Sequence, residues 1–147
     1  MKSFQSLGIR APILSALADC GYETPTVIQE KAIPAGIIGR DVLGSAQTGT
    51  GKTAAFGLPV LQRIDPQSNA TQALILSPTR ELCLQIASDL ADFSKYLPDV
   101  KVLPVYGGSS IMSQIHALRE GVQIIVATPG RLMDHYNRKT IRLDKIQ

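Results

Sequence analysis

Residues 41–53 read DVLGSAQTGTGKT. A short apolar pair, Val42-Leu43, leads through the small residues Gly44, Ser45 and Ala46 to Gly49-Thr50-Gly51-Lys52-Thr53. The chain then turns apolar again at Ala54-Ala55-Phe56. That order predicts a strand, a tight loop and a helix start. The spacing fits the phosphate-cradling loop G-x-x-x-x-G-K-[ST], with Ala46 in place of the first glycine. Successive backbone N–H groups must converge on phosphate oxygens in such a loop, which needs glycines at unusual backbone angles. The following helix adds the positive end of its dipole. Lys52 would reach the β- and γ-phosphates, and the Thr53 hydroxyl would hold Mg²⁺. The bland alternative is a glycine-rich turn with a chance Gly-Lys-Thr; the strand before and the helix after disfavour it.

The chain downstream alternates in the same way. Ala73–Ser77 (ALILS) is a continuous apolar run and predicts a strand buried on both faces. Val100–Tyr106 predicts a strand with Pro104 inside it, hence an outer one. Val122–Ala127 (VQIIVA) predicts a second buried strand. Between them lie helical patterns. Thr79–Leu97 carries Leu82, Ile86, Leu90, Phe93 and Leu97 as one stripe. Ile111–Glu120 is closed by Gly121, and Pro129 opens a helix to about Tyr136. Upstream, Ala11–Cys20 predicts a helix with Pro12 in its first turn and Gly21 at its end. A further helix starts near Thr26, is interrupted around Pro34 and ends at Gly39. The helix after the phosphate loop contains Gly57 and Pro59 and is expected to run, kinked, to about Arg63. Residues 65–72 (DPQSNATQ) are the expected mobile loop. Strands alternating with helices imply βαβ units, a parallel sheet and ligands at the carboxyl ends of the strands.

With 147 residues, 44% of them hydrophobic and 18% charged, the chain suits one globular domain with a real core. No apolar run approaches the roughly 18 residues of a membrane-spanning helix, and Met1–Gln5 lacks the apolar core of a signal peptide. Cys20 and Cys83 have no metal-ligand spacing and are expected to be buried, reduced thiols of a cytoplasmic protein. His116 and His135 have no motif around them and read as surface histidines. The net charge of +3 permits a nucleic-acid partner without requiring one.

Each predicted strand ends in a polar turn. After Ser77 comes Pro78-Thr79-Arg80-Glu81-Leu82, after Tyr106 comes Gly107-Gly108, and after Ala127 comes Thr128-Pro129-Gly130-Arg131. Thr128 and Pro129 would make a good helix start, as N-cap and first helical residue. The same free N–H groups could bind an anion, with Arg131 adding charge. For any one motif the two readings stay open. Three such motifs on one sheet edge, beside a phosphate loop, favour a phosphate-backbone partner.

Taken together, these motifs resemble the N-terminal RecA-like domain of DEAD-box ATP-dependent RNA helicases. Gly21 to Gln29 (GYETPTVIQ) is similar to the family's Q motif, with Phe4 as its upstream aromatic and Val27 where proline is frequent. Ala46 to Thr53 matches motif I, in which alanine is the family's own first residue. Pro78 to Leu82 matches motif Ia, Gly107-Gly108 the GG motif and Thr128 to Arg131 motif Ib. The resemblance implies a RecA-like α/β fold, with residues 1–40 as N-terminal helices bearing the Q motif and 41–147 as the front part of the first RecA-like domain. It implies ATP and Mg²⁺ as cofactors. Phe4, Tyr22, Thr24, Gln29 and the loop Ala46, Gln47, Thr48, Gly49, Thr50, Gly51, Lys52 and Thr53 would bind the nucleotide. Gln29 would read the adenine edge, Tyr22 would stack on the base unless it is an ordinary half-buried tyrosine, and Lys52 and Thr53 would serve catalysis. Pro78, Thr79, Arg80, Gly107, Gly108, Thr128, Pro129, Gly130 and Arg131 would grip the RNA backbone without reading sequence. Glu81 is expected to pair with an arginine.

An ATPase of this kind also needs an acid at the end of a buried strand. None of the 12 acidic residues follows such a run. The expected Asp-Glu-Ala-Asp and Ser-Ala-Thr motifs, and a second RecA-like domain with arginine fingers, have no counterpart in these residues. The expectation is therefore the front of a helicase, catalytically incomplete and prone to self-association through unpaired strand edges. A non-catalytic nucleotide- or RNA-binding fragment, or another P-loop NTPase, remains the alternative. The guanine-reading Asn-Lys-x-Asp of GTPases is absent.

Overall fold

The computed structural model describes residues 2–47 and 51–147. They form two compact units: Met1–Arg63 with Asp92–Pro98, and Ile64–Ala91 with Asp99–Gln147. The boundary drawn from sequence at residues 40 and 41 falls inside the first unit.

The first unit is helical. A 3₁₀ turn at Gln5–Leu7 precedes α1 (Ala11–Asp19), α2 (Val27–Ile37) and α3 (Lys52–Arg63). Helix α1 closes with a bond from Tyr22 N to Leu17 O (2.9 Å), which brings the chain back over its last turn. Helix α2 opens with a reciprocal capping box between Thr26 and Gln29. It runs unbroken through Pro34, against the expected interruption. The proline stands in the last turn, where one missing N–H costs a single bond near an end that frays anyway. Pro59 likewise lies within one continuous α3. Helices α2 and α3 approach closely at Gly36, where a Cβ would lie 2.7 Å from Pro59 Cβ. Ile13, Leu17, Ile33, Leu58 and Leu61 are fully buried. Arg10 ties the start of α1 to the end of α3, through its own N–H to Gln62 Oε1 (2.8 Å) and its guanidinium to Leu61 O (2.9 Å). At the other end of α1, Asp19 accepts from the Tyr96 hydroxyl and pairs with Lys95 Nζ at 2.7 Å. Hydrogen bonding from Lys95 and then Tyr96 holds the Asp19 carboxyl below its usual range.

Residues 41–47 are not a strand. Val42 is 48% exposed and Leu43 is fully exposed. A strand persists only where a neighbour satisfies its ladder, and no described strand pairs with this stretch.

The second unit is α/β. Strands β1 (Ala73–Leu76), β2 (Val102–Val105) and β3 (Ile124–Ala127) form a parallel sheet in the order β1-β3-β2. Helices α4 (Arg80–Phe93), α5 (Ile111–Glu120) and α6 (Pro129–Asn137) alternate with the strands. The central β3 is buried at every position. Val105, Val122, Ile125, Ala127 and Ile141 form its core, with Leu74, Leu103, Leu118, Leu132 and Leu143 packed around it. β2 is an outer strand, as Pro104 predicts. β1 is also an outer strand among the described residues, and its Leu76 is 57% exposed. The expectation of burial on both faces therefore fails there, because an apolar run records what a strand can cover, not whether a neighbour covers it.

Helix α4 buries Cys83, Ile86, Leu90 and Phe93, while the predicted Leu82 is 44% exposed. The inward stripe shifts by one residue at the helix start, where the Cys83 thiol donates to Val126 O of β3 (3.0 Å). Burial raises the pKa of that thiol. Cys20 is exposed, contrary to the buried expectation, since it lies past the last turn of α1. The 65–72 stretch is stapled: Gln72 bonds Asp65 N (2.8 Å) and Asp65 O (2.9 Å), and Gln123 Nε2 donates to Ser68 O (3.0 Å). Breaker residues there build a tied turn because two buried glutamines satisfy its backbone.

Candidate functional site

In the first unit, the features meet where α2 and α3 begin. Gly51 has φ +83°, and α3 starts at Lys52 with Ala55 N bonded to Gly51 O (3.2 Å). Lys52 is exposed at this N-terminus and Thr53 is half-buried beside it. An exposed lysine on the positive end of a helix is an anion-binding arrangement. Gln29, 1% exposed, uses both ends of its amide internally. Its Oε1 accepts from Thr26 N (2.9 Å), and its Nε2 donates to Gly51 O (3.2 Å). The residue predicted to read adenine thus couples the start of α2 to the residue preceding α3. Phe4 is buried, 6.3 Å from the half-buried Tyr22, which meets Phe93 edge-to-face at 5.4 Å. Thr24 and Gln47 are exposed and Ala46 is half-buried. Thr48, Gly49 and Thr50 lie outside the described residues.

In the second unit, the parallel register carries three strand ends to one row. Leu76 and Val105 both pair with Ala127. Ser77 N donates to Ala127 O and Thr128 N to Val105 O, each at 2.9 Å. Pro78-Thr79-Arg80, Gly107-Gly108 and Thr128-Pro129-Gly130-Arg131 therefore emerge along one sheet edge. Thr79 caps α4, its hydroxyl accepting from Leu82 N (3.2 Å). Thr128 occupies the N-cap position of α6 in an extended conformation, and its side chain makes no capping bond. Pro129 and Gly130 are exposed. Gly108 has φ +81°, a left-handed conformation that glycine adopts without strain. The Arg80 guanidinium lies over the Tyr106 ring at 5.1 Å from its centroid. Glu81 makes no ion pair with an arginine among the described residues, so the expected pairing is not formed.

Arg131 is tethered. Its Nη1 donates to Ser109 O (3.1 Å) and to Gln114 Oε1 (3.2 Å), and its Nε lies 3.5 Å from Asp134 Oδ2. Gln114 Nε2 donates to Tyr106 O (3.1 Å), and His135 Nε2 meets Gln114 Oε1 (2.9 Å). His135 Nδ1 meets the Thr140 hydroxyl at 2.8 Å. His135 is completely buried, which overturns its reading as a surface residue. Burial, and then the nearby Arg131, lower its pKa from the usual histidine value. His116 does lie at the surface, 3.2 Å from Glu120. Sequence reasoning missed Gln114, His135 and Thr140. Their bonds join residues up to 21 apart, and no periodic signal reports such a pairing.

Known proteins share this fold. Prp28 of Chaetomium thermophilum, whose structure was solved bound to ADP, superposes with a TM-score of 0.87 at 42% identity, covering 99% of this chain and 37% of that one. A Dbp5 variant of S. cerevisiae, bound to RNA and ADP BeF3, gives a TM-score of 0.87 at 32% identity, covering 100% of this chain and 37% of that one. The ATP-dependent RNA helicase DeaD of Escherichia coli is 55% identical over 144 residues, which are 98% of this chain and 23% of its own length. The helicase CshA of Listeria monocytogenes is 50% identical over all 147 residues, 28% of its length. This chain thus spans about a quarter of the curated relatives it matches. The pattern described as DEAD/DEAH box helicase matches residues 26–147, from the Thr26 cap of α2 through the whole second unit, and the chain belongs to that family.

Proposed function

We propose that the chain is the ATP-binding and RNA-backbone-binding part of an ATP-dependent RNA helicase that remodels or unwinds RNA. The observation that carries this reading is the alignment of three strand ends, with their helix starts and Arg80, along one edge of a parallel sheet. Backbone N–H groups at helix starts and arginine guanidinium groups suit phosphates and carry no base readout. The RNA would be held weakly and with little regard to sequence.

For the nucleotide, Lys52 would meet the β- and γ-phosphates and Gln29 would select adenine. To read the base, the Gln29 amide must exchange its bonds to Thr26 and Gly51 for bonds to the ring edge. Mg²⁺ takes oxygen ligands and relies on phosphate oxygens plus one or two carboxylates. No group of three or more His, Cys, Asp or Glu residues is assembled among the described residues. The protein's own contribution here is the Thr53 hydroxyl, and Mg²⁺, when bound, neutralises charge on the phosphates. No described helix is long and apolar enough to cross a membrane. Among the described residues the outer edge of β1 has no strand partner, so it could pair with a second copy, which sedimentation over a range of concentrations would detect as self-association.

The nucleotide reading is tested by titrating the chain with ADP and with GDP. ADP should bind more tightly, and equal affinity would remove the adenine role of Gln29. RNA binding should weaken alike for all sequences in Arg80→Ala, and a base-specific loss would contradict a backbone grip.

A further inference from the structure

The Gly107–Gly108 turn is bracketed by two carbonyls, and a buried side chain, Gln114, and a half-buried one, Arg131, hold them. Gln114 Nε2 donates to Tyr106 O, immediately before the glycines, and Arg131 Nη1 donates to Ser109 O, immediately after them. Both side chains meet again at Gln114 Oε1, which accepts from Arg131. Since the Gln114 nitrogen is committed to Tyr106 O, the oxygen faces His135, and His135 Nε2 must carry the hydrogen it donates there. His135 Nδ1 is then left as an acceptor 2.8 Å from the Thr140 hydroxyl, whose single hydrogen it shares with His135 O at 3.1 Å. Gln114 is 4% exposed and His135 0%, so neither reaches an RNA strand itself.

We infer that Gln114 and His135 are positioning residues for RNA binding. The relay Thr140–His135–Gln114–Arg131 presets the Gly107–Ser110 turn against the first turn of α6, so that two RNA-facing elements act as one rigid surface. Gln114 is the hub: one amide satisfies a carbonyl, a guanidinium and an imidazole at once. Such a connected polar network favours one arrangement, whereas a broken one leaves buried donors without acceptors. In Gln114→Leu, Arg131 Nη1 and His135 Nε2 both lose their shared acceptor while the side-chain volume is kept. The glycines, free of side-chain constraint, would then sample other turns.

The inference rests on the RNA-backbone reading above, and the test separates the two. Wild-type chain, Gln114→Leu, His135→Leu, His135→Gln and Arg80→Ala are titrated with fluorescein-labelled oligouridylate over a range of salt, and amide exchange at residues 107–110 is measured alongside. Gln114→Leu and His135→Leu should weaken RNA binding by about 2- to 30-fold, as buried-network changes do, with the slope of log affinity against log salt unchanged. Arg80→Ala should instead flatten that slope by about 0.7, one phosphate contact on a single strand. His135→Gln, whose amide can reach Gln114, should recover most of the affinity. The turn amides should exchange about 10-fold faster in Gln114→Leu, the consequence of an unsatisfied buried donor. A lowered melting temperature with RNA affinity intact, while Arg80→Ala weakens it, would make the relay merely structural and overturn the inference. If the wild-type chain does not bind oligouridylate at all, the RNA reading fails on its own, and unchanged turn exchange in Gln114→Leu would overturn the positioning role independently.

Discussion

The 41–47 stretch and the Tyr106–Ser110 turn carry the same kind of sequence signal. Both are short, glycine-bearing segments that follow an apolar run and precede a helix, and both read as anion cradles. They differ in what holds them. The 106–110 turn leaves a strand paired along its length, and Gln114 and Arg131 grip the carbonyls on either side of its glycines. Residues 41–47 have no strand partner among the described residues, and Leu43 is fully exposed. Among the described residues, the Gln29 bond to Gly51 ties the helix starts at this end. A loop motif thus specifies which chemistry a segment can perform. Neighbouring strands and buried polar partners decide how firmly it is held in place.

The largest effect should come from the strand that is held. Ile125 is fully buried at the centre of the sheet, so Ile125→Ala should cost about 2–5 kcal/mol in urea unfolding. Leu43→Ala should stay within about 0.5 kcal/mol of wild type, as exposed substitutions do. A Leu43→Ala loss as large as that of Ile125→Ala would show that residues 41–47 pack as a strand, and the contrast would collapse.

Next is Lys52→Ala, which removes the exposed cation at the start of α3. A charge-assisted bond contributes about 1.5–3 kcal/mol, so calorimetric ADP affinity should fall by roughly 10- to 100-fold. Unaltered affinity would mean that this helix start is not the phosphate site.

Gln29→Ala should act on both stability and specificity. Losing its half of the capping box costs about 1 kcal/mol. The ADP-over-GDP preference should shrink with it. A stability loss with the preference intact would make Gln29 a cap and nothing more.

The smallest effect concerns pH. The folded-state pKa of His135 is depressed, first by burial and then by Arg131, with Asp134 opposing and Arg138 assisting. The unfolded chain therefore binds the proton more readily than the folded one. Stability should be unaffected above the ordinary histidine value of 6.5 and should fall as the pH drops from there through the folded value. Unfolding of wild type and His135→Gln across that range checks this: the variant should lose part of the slope.

Most of the second unit was legible because its signals are local. A run such as Ile124–Ala127 is apolar throughout, Gly121 follows Glu120, and Pro104 excludes β2 from the interior; each acts within a few residues. The candidate nucleotide-binding residues were legible as a motif and not as a shape, since a strand cannot be inferred without its partner. Leu82 misled because a stripe spaced by fours drifts around a helix, and Cys83 takes the inward position. His135 misled because burial of a polar side chain depends on whether distant groups converge on it.

Residue order by itself determined most of the element types, the βαβ alternation of the second unit, the family and the candidate motifs for phosphate and RNA backbone. Those follow from propensity, capping and spacing, which act along the chain. Burial of β3 and partial exposure of β1, the Gln29–Gly51 link across 22 residues and the Gln114–His135 relay across 21 were decided in three dimensions. The physical reason is that a buried amide or imidazole is stable only when every polar atom finds a partner. Those partners, here on different elements of the fold, are brought within hydrogen-bond reach by packing alone.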